Sequence, residues 1–418
     1  MARPIELDKI CNVVDEVVEG VSILDIHTHL YAPAFGRLLL WGIDEMLTYH
    51  YLLAEFFRVA PMPCDQFWAM DRTAQADAVW KHLFIERSPI SEACRGVLTV
   101  LAELGLDVAT RDLDAFRRHF ASQPLEKHME AVFAHAHVRS LIMTNDPFDD
   151  QERPVWEGGW KPDARFQSAL RLDQLLNHWS DAAEQLASWG YKVNGDLGEA
   201  DRQAVQCFLR NWIERMQPRY LAVSLPPTFR FPDAGPCGQL IENCLMPVAR
   251  EADLPVALMV GVRRGVNPSL RLAADGVGKA DVSAIDSLCR AFPENRFLAT
   301  LLSRENQHEL CVSARKHSNL HVFGCWWFVN IPSIVEEMTR ERFELLGLTF
   351  TPQHSDARVL DQLIYKWSHA RARIARVLVN KYEDLARTGW PITRDQIKRD
   401  VEGLFGGNFE RFCGRSAG

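Results

Sequence analysis

The sequence predicts an α/β protein whose strands close into a (β/α)₈ barrel. Short apolar runs rich in β-branched residues recur along the chain, and helical patterns separate most of them. Runs that are apolar at nearly every position are typical of parallel strands, because helices cover both faces of such a sheet. Eight runs fit one barrel, whereas a doubly wound open sheet is the alternative. They occupy residues 22–27, 138–144, 165–172, 220–226, 254–261, 295–302, 319–324 and 346–352.

One gap between the predicted strands is too long for an ordinary connection. Roughly 110 residues separate the first run from the second, and their pattern is helical. We therefore expect residues 1–30 to begin the barrel with strand 1 and residues 31–136 to form an inserted helical subdomain. Residues 137–418 would complete the barrel and add C-terminal helices. An insertion after strand 1 would lie over the carboxyl ends of the strands, where active sites of such barrels lie.

Composition excludes several classes of partner. The chain of 418 residues is 47% hydrophobic and carries a net charge of −8, with no basic stripe that would suit nucleic acid. No apolar run is long enough to span a bilayer, and the acidic N-terminal stretch lacks a signal-peptide core. Ten cysteines occur without a C-x-x-C pair. These features predict a cytoplasmic protein whose cysteines are mostly buried thiols.

The stretch VSILDIHTHL ends the first predicted strand with His27 and His29. Alternate side chains of a strand point to the same face, so the two imidazoles would lie close enough to bind one metal ion. A second H-x-H, His135 and His137 in FAHAHVRSL, precedes the second strand. It would lie at the opposite end of the barrel, where residues serve stability, and we interpret it as structural.

Asp356, in TPQHSDARVL, follows the eighth predicted strand. In a closed barrel that strand lies beside strand 1, so the carboxylate could complete a site with His27 and His29. Two imidazoles and one carboxylate suit Zn²⁺, Mn²⁺ or Fe²⁺ and leave positions open for substrate or water. The structural alternative for Asp356 is a helix N-cap together with Ser355, and the two roles are compatible.

Further polar and aromatic residues follow the same strand ends. Arg358 offers a planar fork that matches a carboxylate, although an ordinary ion pair would also explain it. His50 and Tyr51 begin the helical stretch and could transfer protons over the barrel mouth, whereas packing is the alternative for Tyr51. Trp326 in CWWFVN follows the seventh strand and could wall a pocket or fill the core.

Six short motifs, taken in order, resemble those of the uronate isomerases, a group of the amidohydrolase superfamily. The resemblance implies a barrel of the metal-dependent hydrolase kind and covers nearly the whole chain. Arg171 and Asp173 match the strand-3 motif of the family, and Asp356 and Arg358 match its closing motif. The matching stretches are DIHTHL, TYHYLLAEFFR, MTNDP, ALRLD, FGCWWFVN and HSDARVLDQLIYKW.

Two departures from the family pattern indicate a divergent relative. The family has a strand-5 histidine followed by an arginine, and here ALMVGVRRG places Met259 at that histidine and Arg264 at that arginine. Methionine is a poor ligand for a hard divalent ion and cannot transfer protons. After strand 4 the chain reads VSLPP, so the aspartate and histidine of the family element are absent.

The resemblance implies metal-assisted aldose–ketose isomerisation of a sugar acid such as D-glucuronate or D-galacturonate. It implies one divalent ion, Zn²⁺ first and Mn²⁺ or Fe²⁺ as alternatives, and an assembly of identical subunits. Asp356 could instead act as a base, a role that competes with metal binding. The implied site residues are His27, His29 and Asp356 for the metal, Asp356, Tyr51 and His50 for catalysis, and Arg171, Arg358, Trp326 and Arg264 for the substrate.

Two other functions stay open. A metal-dependent hydrolase or decarboxylase could use the same three ligands, but hydrolases of the superfamily commonly add a strand-4 Lys or Glu and histidines on strands 5 and 6. This chain has Ser224, Met259 and Thr300 near those places, which ranks a hydrolase second. An inactive sugar-acid-binding paralogue is the third possibility. It is disfavoured because buried His and Asp clusters are costly without an ion.

Overall fold

Seven of the eight predicted strands form, and together they make one curled parallel sheet. The computed structural model describes residues 4–414. Within these residues the parallel strands are β1 (Ile23–Thr28), β2 (Val138–Asn145), β3 (Phe166–Arg171), β4 (Leu221–Leu225), β5 (Val256–Val260), β8 (Phe297–Leu301) and β9 (Leu320–Val322). Their order in the sheet is β1-β2-β3-β4-β5-β8-β9. A short antiparallel hairpin, β6 (Val262–Arg263) and β7 (Gly276–Val277), follows β5.

The buried strands explain why the sequence shows continuous apolar runs. Every residue of β1, β5, β8 and β9 is buried. A parallel strand buried on both faces needs apolar or internally bonded side chains throughout, and these runs supply them. The predicted α/β class is therefore confirmed, with the carboxyl ends of the strands gathered at one side of the sheet.

The predicted eighth strand is wrong. Residues 346–352 form no strand, and a closing segment, residues 351–356, instead joins both edges of the sheet by separate hydrogen bonds. On one side Thr351 N donates to the Val322 carbonyl over 3.1 Å. On the other side Asp356 N donates to the His27 carbonyl over 3.1 Å. The intervening Pro352 has no N–H to give to a ladder, so a regular strand cannot continue through it.

The long stretch between β1 and β2 is helical, as the sequence predicts. Leu53 and Phe56 from this stretch belong to the same apolar cluster as Leu363 from the C-terminal part of the chain. Its helices Glu92–Glu103 and Leu125–Ala136 pack directly against the long C-terminal helix Gln362–Arg387. Its helices are α2 (Ile43–Leu47), α3 (His50–Val59), α4 (Cys64–Trp68), α5 (Arg72–Trp80), α6 (Glu92–Glu103), α7 (Leu113–Ala121) and α8 (Leu125–Ala136), and α1 (Ile10–Gly20) precedes β1.

The remaining helices connect the later strands and complete the C-terminal part. The longest is α18 (Gln362–Arg387), whose buried face includes Trp367 and Ile374. The others are α9 (Arg153–Glu157), α10 (Asp173–Asn177), α11 (Trp179–Ser188), α12 (Glu199–Met216), α13 (Pro236–Leu240), α14 (Met246–Glu251), α15 (Ser283–Ala291), α16 (Gln307–Ala314), α17 (Pro332–Leu346), α19 (Arg394–Glu402) and α20 (Asn408–Phe412).

Two further properties bear on the sequence predictions. Across residues 4–414, the helices are either too short or too polar to cross a membrane. No disulfide links the cysteines within this range, and six of the ten are buried.

Candidate active site

His27 and His29 lie at the carboxyl end of β1 and point to the same side of the sheet, with ring centroids 5.4 Å apart. Asp356 reaches them from the segment that closes the sheet. Its Oδ1 lies 3.7 Å from His27 Nε2 and 3.4 Å from His29 Nε2. The structure thus brings the three predicted metal ligands within coordination range of one point.

The electrostatics of this trio suit a cation. Burial lowers the pKa of His27 to about 3. Burial, with help from the nearby Arg358 and Arg171 cations, holds the pKa of His29 well below its ordinary value. Both imidazoles are therefore neutral near pH 7 and offer lone pairs. His27 Nε2 and Asp356 Oδ1 are buried without a hydrogen-bond partner among residues 4–414, so a divalent ion would satisfy atoms that are otherwise left bare.

The backbone holds Asp356 in an uncommon conformation. Its φ is +53°, a left-handed value that aspartate tolerates better than most residues. Next to it Ser355 N donates to Asp25 Oδ1 over 3.0 Å, and Trp367 Nε1 donates to Asp25 Oδ2 over 2.8 Å. The buried Asp25 thereby ties the closing segment to β1 and α18, which fixes the Asp356 carboxylate against the two histidines.

A pocket opens beside the trio at the carboxyl ends of the strands. Eight predicted site residues line it, namely His27, His29, His50, Arg171, Arg264, Trp326, Asp356 and Arg358. Trp327, which the sequence marks beside Trp326, also lines it, together with Thr144, Asp173, Ala222, Ser224 and Met259.

The three pocket arginines differ in whether an aspartate pairs with their guanidinium. Arg171 Nη2 lies 2.6 Å from Asp173 Oδ2, and Arg264 pairs with Asp275. The exposed guanidinium of Arg358 makes no hydrogen bond or ion pair to the side chains of residues 4–414. Arg358 is therefore the cation most available to an anionic ligand.

His50 and Tyr51 lie together at the start of α3, but only His50 is among the residues that line the pocket. His50 lines it, and its buried Nε2 has no hydrogen-bond partner in the described part of the chain. Tyr51 does not line it. Its ring lies 4.4 Å from that of His50, and its hydroxyl is buried and equally unpartnered there. Orphaned polar atoms of this kind indicate a site that a polar ligand or water completes.

Sequence reasoning missed several residues that contact this site. The Tyr49 ring lies 4.1 Å from that of His50 at an interplanar angle of 48°, and its buried hydroxyl has no hydrogen-bond partner within residues 4–414. Tyr220 and Thr144 contact the far side of His27. Each of the three lies within or beside a predicted strand or helix, where an aromatic or β-branched residue is unremarkable. Tyr49 and Thr144 lie inside the motifs TYHYLLAEFFR and MTNDP, which could have marked them, whereas Tyr220 lies in no motif.

The second H-x-H lies where the sequence places it, away from the pocket. The His137 carbonyl accepts a hydrogen bond from Ile23 N, at the amino end of β1. His135 is exposed and lies 3.9 Å from Glu103. Neither histidine belongs to the candidate metal trio found among residues 4–414.

The curled parallel sheet and the pocket at its carboxyl ends define an α/β enzyme with a candidate metal centre. Solved structures of one enzyme family are similar to this chain over nearly its whole length. The uronate isomerase from Bacillus halodurans C-125 is 53% identical, with a TM-score of 0.97, and the match covers 99% of this chain and 98% of that chain. The protein belongs to the uronate isomerase family.

More distant relatives share the fold. The uronate isomerase from Thermotoga maritima is 15% identical, with a TM-score of 0.77 over 97% of both chains. The glucuronate isomerase from Caulobacter crescentus is also 15% identical, with a TM-score of 0.75 over 98% of this chain and 94% of that chain. No family model and no curated protein sequence matches the chain. The family that the six sequence motifs predict is thus confirmed.

Proposed function

We propose that the protein interconverts the aldose and ketose forms of a uronic acid such as D-glucuronate or D-galacturonate. The observation that carries this proposal is one pocket that holds both a bare His27–His29–Asp356 trio and the free guanidinium of Arg358. Such a pocket can bind the two ends of an opened sugar acid differently. The hydroxyl and carbonyl oxygens at C1 and C2 suit the metal side, and the distant carboxylate suits an arginine.

We infer that the trio holds one divalent ion. Two neutral imidazoles and a carboxylate suit Zn²⁺ best, with Mn²⁺ and Fe²⁺ as alternatives. When bound, the ion supplies a Lewis acid that polarises a substrate oxygen. The residues themselves orient that oxygen, because Asp25 and the β1 backbone hold Asp356 and the histidines in place before any ligand arrives.

The arginines would orient the rest of the substrate. The side chain of Arg358 is free to form a bidentate pair with a carboxylate. Arg171 and Arg264 are each held by an aspartate, so they are positioned to donate to hydroxyl groups at lower cost in side-chain entropy. Trp326 is almost fully buried and would form a rigid apolar wall.

The proton would move between neighbouring carbons through His50 and Tyr51. Burial lowers the pKa of His50, so its ring is neutral, and its unpartnered Nε2 can accept a proton at the pocket that His50 lines. Tyr51, whose ring lies 4.4 Å from that of His50, would assist this transfer with a hydroxyl that stays protonated, because burial raises its pKa well above its ordinary value. Asp356 is the alternative base, and that role competes with metal binding.

The testing experiment combines metal analysis with turnover. The purified protein would be assayed for bound metal and for ketose formation from D-glucuronate and D-galacturonate. We expect metal and turnover together, and we expect the His27→Ala variant to fold but to lose both. Bound metal without turnover on either acid would contradict the proposed reaction. A wild-type protein that cannot bind a divalent ion would contradict the proposed centre.

A further inference from the structure

A tyrosine hydroxyl contacts His27 on the side facing away from the pocket, and the proposed chemistry does not use it. Tyr220 immediately precedes β4 and is fully buried. Its Oη lies 3.0 Å from His27 Nδ1 and donates to the Ile26 carbonyl over 2.9 Å. Its ring packs edge-on against Phe409, with centroids 6.0 Å apart, so the hydroxyl is held by the core.

Counting hydrogens decides which nitrogen of His27 carries its proton. Tyr220 has one hydroxyl hydrogen, and the Ile26 carbonyl can only accept. When that hydrogen goes to Ile26, the hydroxyl lone pairs face His27 Nδ1, which must then carry a hydrogen to be satisfied. The lone pair of the imidazole is consequently on Nε2, the atom that lies 3.7 Å from Asp356 Oδ1.

The other tautomer leaves a buried donor without an acceptor. Thr144 Oγ1 lies 3.2 Å from His27 Nδ1 and could donate to it if the nitrogen were bare. His27 would then carry its hydrogen on Nε2, which is buried and has no hydrogen-bond partner within the described range. A buried unsatisfied N–H costs about 1–3 kcal/mol, which disfavours this arrangement.

We propose that Tyr220 is a positioning residue that fixes His27 in its Nδ1–H tautomer and thereby presents Nε2 to a divalent metal. The inference rests on the metal part of the proposed function and is independent of the sugar acid. Partners that orient a ligating histidine through its second nitrogen commonly change metal affinity by about 10–100-fold. Tyr220, immediately before β4, would act on His27 of β1 by this direct contact.

The first test compares zinc affinity in two matched variants. Tyr220→Phe keeps the ring and its packing but removes the hydroxyl, and we expect its Zn²⁺ dissociation constant to rise about 10–100-fold in competition with a fluorescent chelator. Tyr382→Phe is the control. Tyr382 is also a buried tyrosine and donates to Asp400 over 2.9 Å, far along α18 from the site. We expect the zinc affinity of this control to equal that of the wild type.

The second test reads the tautomer directly in the metal-free protein. Nitrogen NMR of ¹⁵N-histidine-labelled protein distinguishes Nδ1–H from Nε2–H, and the His27 signals are assigned by their loss in His27→Ala. We expect Nδ1–H in the wild type and a shift towards Nε2–H in Tyr220→Phe. This readout needs neither substrate nor metal, so it remains decisive if the proposed isomerisation fails.

Three results would overturn the inference. An Nε2–H tautomer in the wild type would do so even if Tyr220→Phe failed to fold. Equal zinc affinities for Tyr220→Phe and Tyr382→Phe would remove the positioning role. A loss of affinity in Tyr220→Phe without any change of tautomer would assign the effect to packing.

Discussion

At the scale of single residues, the pocket leaves one positive charge free. Asp173 holds Arg171, and Asp275 holds Arg264. The pairing neutralises two of the three arginines and leaves Arg358 to attract an anion. Recognition of the substrate carboxylate should therefore depend mainly on Arg358. Arg171 and Arg264 should mainly orient the rest of the substrate.

Replacing Arg358 tests this division. We expect Arg358→Met to weaken binding of uronic acids about 10–100-fold, because a charge-assisted hydrogen-bonded pair is worth about 1.5–3 kcal/mol. Binding of the corresponding neutral sugars should change far less. Dissociation constants from calorimetry provide the measurement. Arg304→Met, at an exposed arginine paired with Glu337, is the control. Equal losses for acidic and neutral sugars would remove the carboxylate role.

Met259 provides a second residue-scale prediction. It lines the pocket from β5, but a thioether is a poor ligand for Zn²⁺, Mn²⁺ or Fe²⁺ in a nitrogen and oxygen site. Met259→Leu nearly conserves volume. We therefore expect the bound metal to stay the same and turnover to stay within about threefold. Metal analysis and steady-state kinetics check this, and loss of the metal would show that Sγ takes part in binding.

At the scale of elements, the segment that closes the sheet decides the geometry of the site. Gly324, two residues after β9, has a φ of +67°, and its N–H donates to the Thr351 carbonyl over 2.8 Å. The buried ring of His354 lies against its backbone. A Cβ at Gly324 would overlap Cδ2 of His354, so only glycine fits. This contact sets the path of the chain two residues before Asp356.

Two glycine substitutions separate backbone strain from this steric contact. Gly347 has a similar φ of +61°, but a Cβ added there would meet no other atom of residues 4–414 within 4 Å. We expect Gly347→Ala to lower the free energy of unfolding by about 1–2 kcal/mol, the cost of a left-handed backbone. Gly324→Ala should lose about 3 kcal/mol or more and weaken zinc binding, because His354 must move. Urea unfolding measures both, and equal losses would contradict the contact.

At the scale of the whole molecule, buried acids couple stability to pH. Glu152 is 3% exposed and accepts hydrogen bonds from Tyr31, Asn145 and the Asp146 amide. Burial nevertheless outweighs these bonds and raises its pKa from 4.5 to about 7. Between pH 4.5 and about 7, the folded state therefore keeps a proton on Glu152 that the unfolded chain releases.

The sign of the pH effect follows from that shift. A raised folded-state pKa gives stability that is complete below pH 4.5 and is lost as pH rises through about 7. The loss from this group amounts to about 3 kcal/mol at most. We expect the free energy of unfolding of Glu152→Gln to depend less on pH than that of the wild type over this range. Urea unfolding of both proteins between pH 5 and pH 8 provides the difference, and parallel profiles would contradict the assignment.

Metal binding should also stabilise the whole fold. The ligands come from β1 and from the closing segment, so the unfolded chain cannot bring them together. Free zinc at 100 times its dissociation constant should add about 2.7 kcal/mol to the free energy of unfolding. We expect a rise in Tm with Zn²⁺ that a chelator reverses. His27→Ala should show no zinc-dependent shift, and a shift as large as that of the wild type would place the ion elsewhere.

Local patterns predict much of this molecule. The apolar runs predict seven strands correctly because burial on both faces demands apolar side chains at successive positions. His27 and His29 are predictable as a pair because the spacing of a strand is local. The eighth run misleads, since Leu346 ends α17, Leu348 is exposed, and Pro352 interrupts any ladder.

The sequence by itself determined the α/β class, the family and the residue types available to the pocket. Only the tertiary structure decided which arginine stays free, that Tyr51 lies behind His50, and that Tyr220 contacts His27 across 193 residues of chain. The physical reason is that periodicity and motifs are properties of neighbouring residues. Hydrogen bonds and ion pairs between distant segments depend on how the closed sheet brings them together.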